Sequence, residues 1–287
     1  TRGAGLIGWN GRAWDTGFDL GGAYVGAITG DGRGRLWFAC SPGLFHYDGQ
    51  SISQVRTSDG YVGDSGIIGV HLDRDNTLWV SHVAGGVRRY DPETMAPLSL
   101  SGFPEHVRFG GFAESDDGLW LGSTAGLWHF GGDGPPRRYT VDDGLGSDRA
   151  SQVLVDDDGR VWTVAPAGWV SVFDGETFSV LDTRDGIGDA SVTGIAQEPD
   201  GTMVFGTWGA RGGLTRYRPT ASPPAVRILG VRTDSLLTNM HALPSLPAFE
   251  RTTIHVSAID FKTVPEKRQY RFRLHPVDDD WGPPTRA

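Results

Sequence analysis

The feature that most constrains this chain is a phrase that it writes five times. Asp116 to Phe130 reads Asp-Asp-Gly-Leu-Trp-Leu-Gly-Ser-Thr-Ala-Gly-Leu-Trp-His-Phe. Edited copies place Leu36-Trp37 before Gly43-Leu44, Leu78-Trp79 before Gly86-Val87, Val161-Trp162 before Gly168-Trp169, and Thr202-Met203 before Gly213-Leu214. The large-residue landmark, Trp37, Trp79, Trp120, Trp162 and Met203, recurs at intervals of 42, 41, 42 and 41 residues, and the glycine landmark at 43, 40, 42 and 45. A period of this size dictates the fold, because one such unit cannot bury both of its faces and has to stack on copies of itself.

Each copy reads as four strands. An apolar run precedes every landmark, such as Ile67 to Leu72 or Ser151 to Val155, rich in β-branched residues that suit a half-buried pleat. An Asp-Gly or Asp-Asn corner follows (Asp117-Gly118, Asp158-Gly159, Asp200-Gly201, Asp75-Asn76), which predicts a two-residue hairpin. The landmark lies on the second strand, alternating runs such as Val87-Arg88-Arg89-Tyr90 form the third, and Ser51 to Val55, Arg137 to Val141 and Glu176 to Leu181 the fourth. Four antiparallel strands in about 40–45 residues make a β-propeller blade. The landmarks Trp37, Trp79, Trp120, Trp162 and Met203 are then the packing core between blades rather than platforms for a ligand.

The expected fold class is all-β, with five four-stranded blades over residues 23–219. Residues 1–22 read as the end of a preceding blade, Gly5 to Gly11 resembling a third strand and Arg12 to Leu20 a fourth. Pro219, Pro223 and Pro224 interrupt any fourth strand of the last repeat. Either an outer strand from the N-terminus fills that gap or further upstream blades complete the ring. After Pro223 the phrase stops. Residues 223–287 show runs at 226–231, 253–258 and 270–274, the last alternating strictly, and predict part of an antiparallel β-sandwich.

Composition agrees and excludes. The chain holds 43 glycines, no useful helical period, a net charge of −9 and a pI near 5.3, which argues against a nucleic-acid footprint. Its single cysteine, Cys40, forms no intrachain disulfide and reads as a small buried hydrophobe. No apolar run reaches a membrane span, and Thr1 suggests an excised piece of a longer protein. The eight histidines never pair at metal-ligand spacing, and no nucleophile motif occurs. Asp156-Asp157-Asp158 and Asp278-Asp279-Asp280 lack the closing Glu of a calcium loop, the first run being a hairpin corner. No catalytic residue, metal or cofactor is expected.

The phrase Asp-x-x-Gly-x-Leu-Trp-x-Gly-Thr-x-x-Gly-Leu, nearly intact at Asp116 to Leu127, resembles the two-component regulator propeller repeat. The run Ile254 to Trp281, with Ala258-Ile259-Asp260-Phe261, Tyr270 to Leu274 and Asp280-Trp281, is similar to the triple-tyrosine domain that follows such propellers, although Phe272 stands where that family usually has its second tyrosine. The resemblance implies the extracytoplasmic, periplasmic sensor of a membrane-anchored receptor with a histidine kinase or diguanylate cyclase output outside this chain. It also implies a ligand of the small-molecule or oligosaccharide class, and a homodimer through the C-terminal domain of the parent receptor. Two other classes stay open: an interaction scaffold, and a lyase-type propeller enzyme sharing Asp-Gly-x-Val-Trp phrasing.

Departures from the repeat mark where a ligand would sit. The loops between second and third strands share one face with the inter-blade loops, and most hold small residues. The second repeat puts His82 in that loop, and the fifth is longer and carries Trp208 and Arg211. An aromatic and a guanidinium suit sugar or carboxylate recognition, while the plainer reading makes Trp208 a blade cap and Arg211 a solvated side chain. Tyr61, Asp148 and Asp189 on inter-blade loops are further candidates for the same rim.

Overall fold

The computed structural model describes residues 6–9, 11–15, 20, 23–63, 66–131, 134–166, 168–187, 191–209, 212–219, 225–233, 236–239, 252–259, 269–283 and 285–286. The chain divides into two compact units, Thr1–Arg218 and Pro219–Ala287.

The first unit is a β-propeller built from meandering antiparallel sheets. Two short strands, β1 (Gly8–Trp9) and β2 (Trp14–Asp15), pair with each other. Blade 1 follows as β3 (Tyr24–Gly30), β4 (Leu36–Ser41), β5 (Gly43–Tyr47) and β6 (Ile52–Val55). Blade 2 is β7 (Ile67–Leu72), β8 (Leu78–His82), β9 (Val87–Tyr90) and β10 (Pro97–Leu98). Blade 3 is β11 (Phe109–Ser115), β12 (Gly118–Ser123), β13 (Gly126–Phe130) and β14 (Arg137–Tyr139). Blade 4 is β15 (Gln152–Val155), β16 (Val161–Ala165), β17 (Trp169–Phe173) and β18 (Phe178–Leu181). Blade 5 has three strands, β19 (Ser191–Gln197), β20 (Met203–Trp208) and β21 (Leu214–Tyr217). Among the described residues no strand lies outside β21, and β1 and β2 do not join its sheet.

One side-chain period explains the packing. On a second strand, alternate residues face the preceding and the following blade. In β8, Leu78 and Val80 pack with Trp37 and Leu44 of blade 1, while Trp79 packs with Phe109, Leu119 and Leu121 of blade 3. Trp120 meets Val153 and Phe173 of blade 4, and Trp162 meets Val192 and Phe205 of blade 5. All four tryptophans are buried. Met203 is buried too but faces the other way, joining Phe205 against Trp162 and Val164. The register explains why: Leu154 pairs with Trp162, and its counterpart Ala196 pairs with Val204. The true interval is therefore 42, and Val204, not Met203, occupies the tryptophan position.

The first strands lie innermost and against one another, which is why they are rich in glycine. A Cβ on Gly111 would come within 2.7 Å of the Gln152 Cα of the next first strand. β3, β7, β11 and β19 each shift register once beside a glycine.

The corners differ from expectation. Only blade 3 has the two-residue hairpin, Ser115 pairing directly with Gly118. In blades 1, 2, 4 and 5 an acidic residue opens a three-residue turn: the Asp31, Asp73, Asp156 and Glu198 N–H groups donate to the carbonyls of Arg35, Thr77, Arg160 and Thr202. Asp156 is the fullest case. Its Oδ1 accepts the Asp158 and Arg160 N–H groups, and its Oδ2 accepts Arg160 Nε and the indole N–H of Trp162, both at 2.7 Å. Asp73 likewise accepts the Trp79 indole at 2.7 Å, and in the shorter blade 3 turn the Ser115 hydroxyl takes that role for Trp120. Cys40 is fully buried with Phe38, Leu20 and Ala23, and burial pushes its thiol up to about 11.

The second unit contains β22 (Ala225–Arg232) between β23 (Leu236–Leu237) and β24 (Thr253–Ile259), and a separate pair, β25 (Gln269–Tyr270) with β26 (Thr285–Arg286). The alternating run 270–274 does not continue as a strand past Tyr270. A turn captures its end: the Val277 and Asp278 N–H groups donate to the Leu274 carbonyl, and the Leu274 N–H to Asp278 Oδ2 at 2.7 Å. Asp278 thus serves a turn. No helix among the described residues is long and apolar enough to cross a membrane.

Candidate functional site

The structure gathers two of the six rim candidates. Tyr61 lies on the connection from β6 to β7, and His82 ends β8; both emerge at the same end of blade 2. The Tyr61 loop is closed by hydrogen bonds between Thr57 N–H and Val62 O and between Gly60 N–H and Thr57 O. Asp59 fixes it from within, accepting from Thr57 Oγ1, from the Tyr61 N–H at 3.1 Å and from the buried Tyr90 hydroxyl at 3.0 Å. Burial alone would raise the Asp59 carboxyl; these donors hold it below the usual range.

On that support the Tyr61 ring is flanked twice. The His82 ring centroid is 5.6 Å away at 56°, and the Arg88 guanidinium carbon is 4.9 Å from the ring centroid. Arg88 reaches there from β9 and donates through Nη2 to Glu105 Oε1 at 2.7 Å, on the next inter-blade loop. The Tyr61 hydroxyl lies 3.4 Å from the Gly85 carbonyl, and burial raises its pKa. His82 Nδ1 accepts the Ala84 N–H at 2.9 Å, so a neutral ring carries its proton on Nε2. Burial lowers the His82 pKa and favours that neutral form. The assembly brings a tyrosine ring, a neutral imidazole and a charged pair together within one rim segment. That is chemistry for holding a polar, ring-shaped molecule by stacking and hydrogen bonding.

The other candidates fall elsewhere. Trp208 ends β20 on blade 5 and is 78% exposed, with no hydrogen bond or ring contact to the Tyr61 cluster. Asp148 fastens the loop between blades 3 and 4, its Oδ1 accepting the Val141 N–H at 2.9 Å and its carbonyl the Gly126 N–H. Arg211 and Asp189 lie outside the described residues. Arg88, Glu105 and Asp59 escaped the sequence reading. In the sequence Arg88 stands only as part of the third-strand run Val87-Arg88-Arg89-Tyr90, and the 17-residue step from Arg88 to Glu105 gives no local signal. His46 and His129 stack on Trp37 and Trp120 at 4.9 and 4.3 Å and belong to the blade core. Among the described residues no three His, Cys, Asp or Glu side chains converge as a metal site.

No protein-family model and no curated protein matches the chain. Solved structures do. The extracellular domain of BT3049, assigned to a hybrid two component system of B. thetaiotaomicron, matches with a TM-score of 0.62 and 18% identity over 91% of this chain. This chain shares the fold of that extracellular domain. The extracellular domain of BT4673 from the same organism, also assigned to a hybrid two component system, matches with a TM-score of 0.59 and 17% identity over 87%. The chain spans only 38% and 35% of those two proteins' lengths. A catalytically inactive virginiamycin B lyase from Staphylococcus aureus with quinupristin is similar at a TM-score of 0.52 and 14% identity, over 70% of this chain and 71% of that one. At these identities the likeness is one of fold.

Proposed function

We propose that this chain is a non-catalytic ligand-sensing part of the extracytoplasmic region of a membrane-anchored signalling receptor. The observation that carries this reading is the extent of the likeness: the ectodomain fold covers 91% of the chain, whereas the lyase likeness covers 70%. In this reading residues 23–219 recognise a small molecule or oligosaccharide at the loop end of the blades, with Tyr61, His82, Arg88 and Glu105 as one contact surface and Trp208 as another. Residues 223–287 are the first part of a triple-tyrosine domain that passes the bound state toward the membrane and pairs with a second receptor chain. The ligand acts through its different affinity for two arrangements of the paired chains.

The test is thermal unfolding of the 287-residue chain against a panel of oligosaccharides, with Trp208→Ala and Arg88→Gln variants alongside. A ligand of the native state raises the midpoint with concentration, by about 2.7 kcal/mol of stability at a hundred times its Kd. At least one variant should lose that rise. Turnover of a panel member would replace this reading with the lyase-type enzyme. No rise with any member, together with a stable protein complex in a pull-down, would replace it with the scaffold.

A further inference from the structure

Arg89 sits on β9 directly across from Trp79, and from Leu98 on the outer side. The equivalent partners of Trp37, Trp120 and Trp162 are His46, His129 and Val172, and that of Val204 is Arg216. Arg216 is ion-paired with Glu198. Arg89 has no carboxylate partner among the described residues. Its Nε donates to the Ser99 carbonyl at 2.6 Å, while its guanidinium carbon lies 5.9 Å from the Trp79 ring centroid and 5.7 Å from that of Phe130. One edge of the fork is therefore fixed and two aromatic rings hold its plane. Both Nη groups are left without a hydrogen bond among the described residues.

These groups form part of the wall of a cleft of about 460 Å³ between blades 2 and 3, where the chain leaving β10 approaches the chain leaving β13. Ser99, Leu100 and Ser101 line one side, and Phe130 and Pro135 the other. Leu100 and Phe130 continue into the apolar cluster around Trp79 and Phe109, so the floor is firm. Phe130 pairs with Leu119 beside the Gly118 corner, which places the cleft toward the end of the strands opposite the Tyr61 rim.

We propose that this cleft binds a small organic carboxylate of monosaccharide size, a sugar acid. A guanidinium with no counter-charge among the described residues is open to an anion, and its planar fork matches a carboxylate in bidentate geometry. The volume falls in the range of small-ligand sites. Leu100, Phe130 and Pro135 offer an apolar shelf suited to the C–H face of a ring, while Ser99 and Ser101 supply hydroxyls for a polyhydroxylated edge. A neutral sugar would leave the guanidinium unpaired, and a purely apolar acid would leave the serines without new partners. The site is separate from the rim cluster, so it stands or falls independently of the ligand sensed there.

The test is isothermal titration calorimetry of the full 287-residue chain with glucuronate and with galacturonate, glucose serving as the neutral control. At least one uronate should bind with a Kd below about 20 mM, and glucose about tenfold more weakly or not at all. Arg89→Gln, which keeps part of the stem over Trp79, should weaken the uronate by about tenfold or more, and Arg89→Lys, which keeps charge but not the fork, by an intermediate factor. Arg216→Gln, at the equivalent position of blade 5 where the guanidinium is already paired with Glu198, should leave uronate binding unchanged. Arg89→Gln is read only if its circular dichroism is native; otherwise Arg89→Lys and Ser101→Ala carry the test, each expected to weaken binding. Absence of heat with both uronates, equal binding of glucose, or undiminished binding by the folded Arg89 variants would overturn the proposal.

Discussion

Replacing Asp156 with alanine tests the claim that an acid at the blade corner, and not the Asp-Gly dipeptide after it, fastens each wedge. The Asp156 side chain has no exposed surface, and four donors converge on it from Asp158, Arg160 and Trp162. The alanine variant leaves the Trp162 indole N–H, inside the blade 4 to blade 5 interface, without an acceptor. A buried donor stripped of its partner costs roughly 1–3 kcal/mol. The Arg160 guanidinium, only 24% exposed, also loses its inner partner, and breaking a buried charge pair on one side costs about 3–5 kcal/mol in all. The two figures overlap, because the same carboxylate serves both donors, so the expected loss is about 3–5 kcal/mol. In a unit of this size that lowers the thermal midpoint by roughly 6–20 °C. Asp158→Ala is the control: that carboxylate is 73% exposed, pairs only with Arg160 Nη2, and should cost under about 1 kcal/mol. Urea unfolding followed by tryptophan fluorescence gives both values at unchanged m. An Asp156→Ala chain within about 0.5 kcal/mol of the parent, or an Asp158→Ala chain equally weakened, would refute the reasoning.

Two further outcomes follow from the same geometry. Gly126 has φ +104°, and a Cβ there would strike the Tyr139 carbonyl, so Gly126→Ala should cost about 1–3 kcal/mol. Gly213, the same landmark in blade 5, has open space and no positive φ, and Gly213→Ala should show no loss in the same thermal scans. The Arg35 side chain beside Asp31, with the Arg33 and Arg35 N–H groups, holds the Asp31 carboxyl down at about 2. A depressed folded pKa means that its contribution is complete above the unfolded value of about 3.9 and is lost as pH falls through about 2. The difference in urea midpoint between the parent and Asp31→Asn should therefore be steady from pH 7 to 5 and shrink between pH 4 and 2. A constant difference across that window would sink the assignment.

The blades were legible because their period is long and their tryptophans are large, and both survive small edits. The corners were not. Asp116 to Phe130 carries the clearest phrase, yet it is the exception, one residue shorter than its sisters, with Ser115 standing in for the acid. Matching copies on the Asp-Gly dipeptide hid that deletion, and matching the fifth on its largest apolar residue chose Met203 over Val204. In a strand a slip of one residue moves a side chain to the other face, so Met203 packs toward blade 4 whereas the four tryptophans pack toward the following blade. At the rim, Tyr61 and His82 stood out as oddities in small-residue loops. Their partners did not, because Arg88 and Glu105 meet Tyr61 across loops of successive blades and only the stacking of sheets brings them together.

The weakness of the fifth phrase has a physical reason. A tryptophan at the landmark is useful only if the next sheet covers it, and blades 1 to 4 each meet such a sheet. The corresponding face of blade 5 carries Val204, Gly206 and Leu214; Leu214 is 78% exposed, and no described sheet of the first unit packs there. A large indole on that face would gain little burial, so the residue that makes the other repeats easy to read has no packing role among the residues described. The same face ends in Trp208, the most exposed tryptophan described, at a loop three residues longer than most. Loss of the repeat signature and appearance of an exposed aromatic thus coincide on one sheet, at a face where no packing among the described residues fixes the residue type.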